Sequence, residues 1–197
     1  MSTIRVVECP ACYGEVEIRD AVYASLRVCD ACGAVLDISQ PSLQPLAQVD
    51  HSANPPMSPV RVGMTAMVDG VRYLVVGRMR AREAVAMWDM WLLAGPRSIH
   101  LWVREAPGQL QLMTPYQPAS ATGPDELATA RTAEIDGRPF QLTGRRAGTI
   151  SYLQGELTWR SNIKDQLAYV ELDSEDGVHM AVLWTEYDLD YLRVRTL

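Results

Sequence analysis

Residues 65–80 read TAMVDGVRYLVVGRMR, and residues 132–147 read TAEIDGRPFQLTGRRA. A constant shift of 67 lays Thr65, Ala66, Asp69, Gly70, Gly77 and Arg78 on Thr132, Ala133, Asp136, Gly137, Gly144 and Arg145. Val68 then meets Ile135, and Tyr73 meets Phe140. Self-similarity at a fixed spacing marks a repeated structural unit. Asp-Gly between two short apolar runs is also the strongest local signal for a β-hairpin, because Gly takes positive φ freely and Asp at modest cost. Two related β units are expected, over residues 61–113 and 131–197.

Outward from the first hairpin, AVAMWDMWLLAG alternates with period two: Trp88, Met90 and Leu92 face one way, Asp89, Trp91 and Leu93 the other. Turns at Gly95-Pro96 and Pro107-Gly108 separate it from SIHLWVRE and QLQLMT. Short strands at this spacing describe a small antiparallel barrel or sandwich. Residues 114–130, rich in Pro, Ser and Ala, read as a linker with a helical turn near Asp125–Arg131. In the second unit TISYLQGELTWRSNIKDQ has no full counterpart, and AYVELDSEDGVHMAVLW then answers WLLAGPRSIHLWV. His179 falls opposite His100 at a shift of 79, so the second unit carries an insertion of twelve. Histidines at equivalent positions suggest a structural hydrogen-bonding role.

All four cysteines lie near the N-terminus, as Cys9-x2-Cys12 and Cys29-x2-Cys32 separated by sixteen residues. Paired thiolates two residues apart can face one ion from a tight turn, and two such knuckles are the spacing of a tetrahedral zinc site. Residues 1–40 therefore read as a zinc ribbon with structural Zn2+, since four thiolates leave no open position for water. Iron in a rubredoxin-like site uses the same ligands. Such a short piece buries too little core to fold alone, whereas thiolate–zinc binding contributes on the order of 10–16 kcal/mol. Residues 41–60, with five prolines between Pro41 and Pro59, read as an extended spacer containing a solvated His51.

The formal charge of −6 argues against a generic nucleic-acid or anionic-membrane surface. Residues 1–40 carry three arginines against six carboxylates, the wrong sign for a phosphate-binding face. Only Lys164 among the eighteen basic residues is a lysine. No apolar run approaches the ~20 residues that span a bilayer, and the N-terminus has no secretory pattern. A cytoplasmic protein is expected, with any membrane association indirect. Residues 171–190 hold seven carboxylates and no Lys or Arg, while residues 60–105 hold seven arginines against four carboxylates. The acidic stretch reads either as an edge that discourages aggregation or as a docking face for a basic partner.

The run VGMTAMVDGVRYLVVGRMR, followed by WDMWLL and HLWV, resembles the bacterial domain-of-unknown-function family 4178. Its members are similar in having a D/N-G hairpin, a Gly-Arg turn and a W-D-x-W acidic strand. GELTW at residues 155–159 resembles the second-half signature of that family. The chain departs from the pattern at Met90, where an acidic residue is expected. The resemblance covers about residues 60–197, extends to the N-terminal ribbon of several members, and implies an accessory role in a membrane-stress or polyamine context.

These observations describe an all-β protein: a zinc ribbon followed by two small antiparallel units, as SH3-like barrels or a sandwich. With no nucleophile–base pair, no phosphate-cradling loop and a closed metal site, the reading is a non-enzymatic adaptor that docks a protein partner. Trp88, Asp89, Trp91 and Trp159 are candidate partner contacts, since Trp is enriched at interaction hot spots; the other reading places the rings in a small core with one phenylalanine. A nucleic-acid-binding ribbon module and a polyamine or small-ligand accessory protein are the alternatives.

Overall fold

The computed structural model describes residues 4–19, 23–50 and 58–197. An N-terminal segment holds β1 (Arg5–Glu8), β2 (Glu15–Ile18), β3 (Leu26–Val28), β4 (Ala34–Asp37) and β5 (Gln44–Gln48). There follow β6 (Thr65–Val68), β7 (Val71–Arg82), β8 (Met87–Ala94), β9 (His100–Ala106) and β10 (Gln109–Tyr116). A single α-helical turn, α1 (Pro124–Leu127), precedes β11 (Thr132–Ile135), β12 (Arg138–Leu157), β13 (Gln166–Asp173), β14 (His179–Trp184) and β15 (Leu189–Thr196). The all-β expectation holds.

Both Asp-Gly pairs form tight turns with positive φ at both residues: 49° and 77° at Asp69-Gly70, 53° and 73° at Asp136-Gly137. That left-handed geometry matches the twist of the flanking strands. From β7 the sheet runs through β8, β9, β10, β15, β14, β13 and β12, and β12 pairs back onto β7. The ring is a closed eight-stranded antiparallel barrel. This corrects the expectation of two SH3-like barrels or a sandwich. A four-stranded curl from either half would leave two open edges, and joining β7 to β12 and β10 to β15 removes all four at once.

The strand positions follow the sequence offsets. β6 and β7 begin 67 residues before β11 and β12, and β8 and β9 begin 79 residues before β13 and β14. The twelve-residue difference falls after Thr149, where β12 runs on to Leu157 beside β7. The two strands meet at Gly77 and Gly155, a cross-strand pair. A Cβ on Gly77 would lie 1.9 Å from Glu156 O, and one on Gly155, whose φ is +74°, 2.1 Å from Val76 O. No other residue fits this crossing.

The barrel lumen is the main core, drawing Met79, Trp88, Met90, Leu92, Trp102, Met113, Leu153, Tyr169, Leu183 and Leu192 from all eight strands. Two smaller clusters lie on the opposite strand faces. One gathers Tyr73, Val75, Trp91, Leu93, Leu101 and Val103 under the β6–β7 hairpin. The other gathers Leu127, Ile135, Phe140, Val170, Leu172 and Val182 under the β11–β12 hairpin.

The N-terminal segment is not a head on a tether. The β12 extension pairs with β3 through Glu156↔Arg27 and Leu157↔Leu26, and β4 and β5 complete that sheet. Leu26, Val28, Val35 and Val49 belong to the same core as the lumen residues. The spacer expected over residues 41–60 thus supplies a strand, β5, while His51 lies outside the described residues. The linker expected over residues 114–130 is ordered too: β10 extends to Tyr116, and Leu127 is fully buried.

Candidate metal centre and buried charge clusters

The two CxxC turns fold alike. In the first, Tyr13 N–H donates to Cys9 O at 2.8 Å, and Cys9 N–H to Gly14 O at 2.8 Å. In the second, Gly33 N–H donates to Cys29 O at 2.9 Å, and Cys29 N–H to Ala34 O at 2.8 Å. Tyr13 and Gly33 occupy the same left-handed position, with φ of 62° and 78°. Tyr13 takes it without the freedom of glycine, which costs about 1–3 kcal/mol. Each turn thereby places two thiols on one side of its strand pair.

All four Sγ atoms lie within 4.8 Å of one another. Cys9 Sγ stands 3.8 Å from Cys32 Sγ, and Cys12 Sγ 3.9 Å from Cys29 Sγ. Ligands at ~2.3 Å around a tetrahedral ion stand ~3.8 Å apart, so the donor set fits a four-thiolate metal. Cys9 and Cys29 are buried and back onto Val16, Ile18, Leu36 and Ile38. Burial, reinforced by hydrogen bonds from the other three thiols, pushes the Cys32 thiol up to about 12. A cation reverses that cost, because ligation favours the thiolate.

The centre is joined to the barrel by polar contacts. Arg19 N–H donates to Glu156 Oε1 at 2.6 Å, and Ser25 N–H to Leu157 O at 2.8 Å. Arg27 Nε donates to Glu17 O at 2.9 Å, tying β3 to β2. Arg160 Nη2 reaches Asp37 Oδ2 at 3.1 Å. Burial opposes ionisation of Asp37, but the Ser39 hydroxyl and amide and the Arg160 guanidinium outweigh it and hold the carboxyl below its usual value.

Trp88, Asp89, Trp91 and Trp159 are 3, 2, 0 and 4 % exposed, so they form no surface platform. Their polar atoms are spent inside: Trp88 Nε1 donates to Glu83, Trp91 Nε1 to Glu105 and Trp159 Nε1 to Asp190, at 2.8–2.9 Å. Asp89 accepts from two guanidiniums. Arg78 Nε and Nη2 lie 2.9 and 3.0 Å from its oxygens, Arg80 Nε lies 2.9 Å away, and Arg80 Nη2 completes a second fork. Arg78 also stacks 4.5 Å over Trp91. The alternation of β8 correctly put Asp89 and Trp91 on one face; the register that sets Arg80 opposite Asp89 supplies the partners.

A further buried arginine, Arg104, was not singled out by the sequence. Arg104 projects into the lumen, 4.6 Å over Tyr169 and 5.5 Å over Trp88. Its Nη1 donates to Gln111 Oε1 at 2.9 Å and to Glu171 Oε1 at 3.3 Å. Burial pushes the Tyr169 hydroxyl far up, keeping it a neutral donor to Glu171 at 3.0 Å. A cavity of about 210 Å³ opens at this mouth, lined by Gln111, Thr143, Glu171, Asp173, His179 and Thr196 among others. His179 Nδ1 pairs with Asp173 Oδ1 at 2.7 Å. Around His100, burial lowers its basicity, and at the same end burial raises Asp190, which Trp159 and His100 partly offset. Alternating polar residues on lumen-facing positions were the available signal, readable only once a lumen is assumed.

The sequence profile described as Domain of unknown function (DUF4178) matches residues 61–190, about two thirds of the chain. The chain belongs to this family. The match begins within the segment leading to β6 and ends at the second residue of β15, so the DUF4178 region covers seven of the eight barrel strands and the start of the last. The tryptophan-bracketed Asp89 of β8 meets Arg78 here, and the Gly77-Arg78 step, expected as a turn, lies inside β7 at a register shift. No curated protein and no solved structure matches the chain. Among the described residues, no helix is long and apolar enough to cross a membrane.

Proposed function

We propose that this chain is a non-enzymatic adaptor that docks a protein partner, with a structural zinc ion held by Cys9, Cys12, Cys29 and Cys32. The observation that carries the reading is the weld between metal centre and barrel: β3 pairs antiparallel with the extension of the barrel's own β12. A metal placed there holds a ribbon rigidly on a closed barrel instead of exposing an open coordination site. The ribbon turns large side chains outward, with Tyr13 75 % and Val6 55 % exposed, as a docking surface requires. Zinc is the usual occupant of a closed four-thiolate site, and because iron takes the same ligands the metal assay below is what tells them apart. The acidic ribbon makes nucleic acid the poorer partner class.

The test is an affinity pull-down with the intact chain beside a Cys9→Ser/Cys12→Ser variant, with metal content assayed on both. A specific protein recovered by the intact chain and lost with the metal assigns recognition to the ribbon. Recovery by both moves it to the barrel. Nuclease-sensitive recovery, or none, sinks the adaptor reading.

The cavity at the barrel mouth favours a second reading, a small-ligand or polyamine site. Glu171 and Asp173 belong to the acidic stretch and face it together. Trp88 lies beside Tyr169, ring centroids 5.7 Å apart, so tryptophan fluorescence titrated with spermidine reads occupancy directly.

A further inference from the structure

The two Asp-Gly hairpins roof equivalent clusters, and the second shows how such a cluster is completed. Leu127 is fully buried there, packed with Ala133, Ile135, Leu172 and Val182. Just before it, the chain runs along the free side of β11. Ala121 bridges Ile135, Thr122 N–H donates to Glu134 O at 2.8 Å, and Asp136 N–H donates to Ser120 O at 2.8 Å. Glu134 N–H in turn donates to Thr122 Oγ1 at 2.8 Å. One continuous stretch, residues 120–127, therefore covers the strand edge and plugs the cluster.

In the first half the same positions are Ala66, Val68, Leu93 and Val103, at the offsets of 67 and 79. These four line an apolar cavity of about 320 Å³ with Arg195 and Asp69 at its rim. Val60 holds the place of Leu127, one methylene shorter and only partly buried. β6 is the last strand of its sheet path, and among the described residues no segment pairs with its outer side. Natural sheet edges are blunted with charge or proline. The sequence of β6, TAMV, has neither, and Met67 is 63 % exposed.

We propose that this edge and cavity dock an extended acidic segment of a partner protein. The segment adds to β6 as residues 120–122 add to β11, and seats a leucine-sized side chain in the cavity as Leu127 is seated. Strand addition supplies backbone hydrogen bonds while the pocket supplies specificity. The charge preference follows from the flanking residues: Arg61 and Arg72 are exposed, while Arg195 is already paired with Asp69. The chain's own example carries Asp125 and Glu126 directly before its leucine. The inference rests on the adaptor reading, to which it gives a site and a partner chemistry.

The test uses the isotope-labelled full chain titrated with a synthetic peptide of the sequence QPASATGPDELATA, residues 117–130. Saturable shifts are expected at Val60, Thr65–Val68 and Val103. Replacing the peptide's leucine by alanine should weaken binding about tenfold, the scale of one buried leucine. Met67 corresponds to Glu134, whose N–H points away from its hairpin partner, so Met67→Pro removes an outward donor and spares the β6–β7 ladder. Met67→Pro and, independently, the cavity-filling Val60→Phe should each abolish the shifts while the melting temperature stays within a few degrees.

Shifts elsewhere, no saturation, or equal affinity for the alanine peptide overturns the proposal. So does self-association through β6, or binding that emerges only when residues 51–57 are deleted, since either assigns the edge to another occupant. If the peptide fails and the pull-down still recovers a specific protein, the adaptor reading survives without this site. If the peptide binds and no protein is recovered, the site survives and the adaptor reading falls.

Discussion

Asp69 and Asp136 stand at the same point of their two hairpins and are held by different chemistry. Arg195 Nη2 reaches the oxygens of Asp69 at 3.0 and 3.2 Å, an ion pair with both side chains more than half exposed. Asp136 takes a short hydrogen bond from the Tyr116 hydroxyl and further bonds from the Ala119 and Ser120 amides at 2.7 and 3.0 Å. Tyr116 and Arg195 lie 79 residues apart, on the last strands of the two halves, so the anchoring position is shared while its residue has diverged.

The Asp136 anchor should respond to acid. The Tyr116 hydroxyl first, then the backbone amides, hold the Asp136 carboxyl below its ordinary value. A depressed folded pKa gives stability that is present above the unfolded pKa, near 4, and is lost as pH falls through the folded value. Asp136→Asn should flatten the stability profile below about pH 4 and lower the urea midpoint at neutral pH. Asp69→Asn should leave the neutral-pH midpoint near the parent's, as exposed ion pairs contribute little. Urea denaturation from pH 2 to 7 checks this, and identical profiles would reject it.

Loss of Asp89 should weaken the barrel wall. Removing it leaves Arg78 and Arg80, 3 and 7 % exposed, without their shared carboxylate. Breaking a buried pair from one side costs about 3–5 kcal/mol, so Asp89→Ala should lower unfolding free energy by that order. Asp89→Asn keeps the shape and two acceptor lone pairs and should cost less. A surface role would have predicted almost no change in the urea midpoint for either variant.

The hairpins, the strand alternation and the thiol pairs were legible because each is set by residues close in sequence. Asp-Gly needs only its own φ preferences, and CxxC only a turn. The offsets of 67 and 79 even located the strands. Barrel closure was not legible, because two open curls and one closed ring use the same local patterns. What decides between them is a long-range pairing, Thr149 on Arg82 and Thr114 on Arg193. The burial of Trp91 follows from that closure and the hairpin above it. Glu156, which joins the barrel to the cysteine segment, lies in the very stretch that lacks a counterpart in the first half.

Gly77 and Gly155 should tolerate nothing larger. Alanine at Gly77 sets a methyl against Glu156 O, which is backbone and cannot swing aside. Clash at a fixed crossing belongs with the most damaging substitutions, about 4 kcal/mol or more. Gly108 has a φ of +77°, close to the +74° of Gly155, but open space around its missing Cβ, so Gly108→Ala should cost only about 1 kcal/mol from backbone strain. Parallel urea titrations separate the cases, and equal midpoints for Gly77→Ala and Gly108→Ala would refute the crossing argument.

Metal removal should open the N-terminal segment and leave the barrel closed. The thiol-lined cluster of Cys9, Val16, Ile18, Cys29 and Leu36 is small, and a core of that size does not hold without its ion. The barrel ring closes through β7–β12 and β10–β15, with no hydrogen bond routed through a cysteine. Chelation should therefore strip exchange protection from the amides of Cys9, Tyr13, Cys29 and Gly33 while those of Tyr169 and Val182 keep theirs. Acid should produce the same pattern, since protons compete with the ion for the thiolates. The β3–β12 junction at Arg27 and Leu157 is the boundary where protection should grade from one behaviour to the other. If protection collapses across β13 and β14 as well, the cysteine segment is what holds β12 in the ring, and the metal is a requirement of the whole fold.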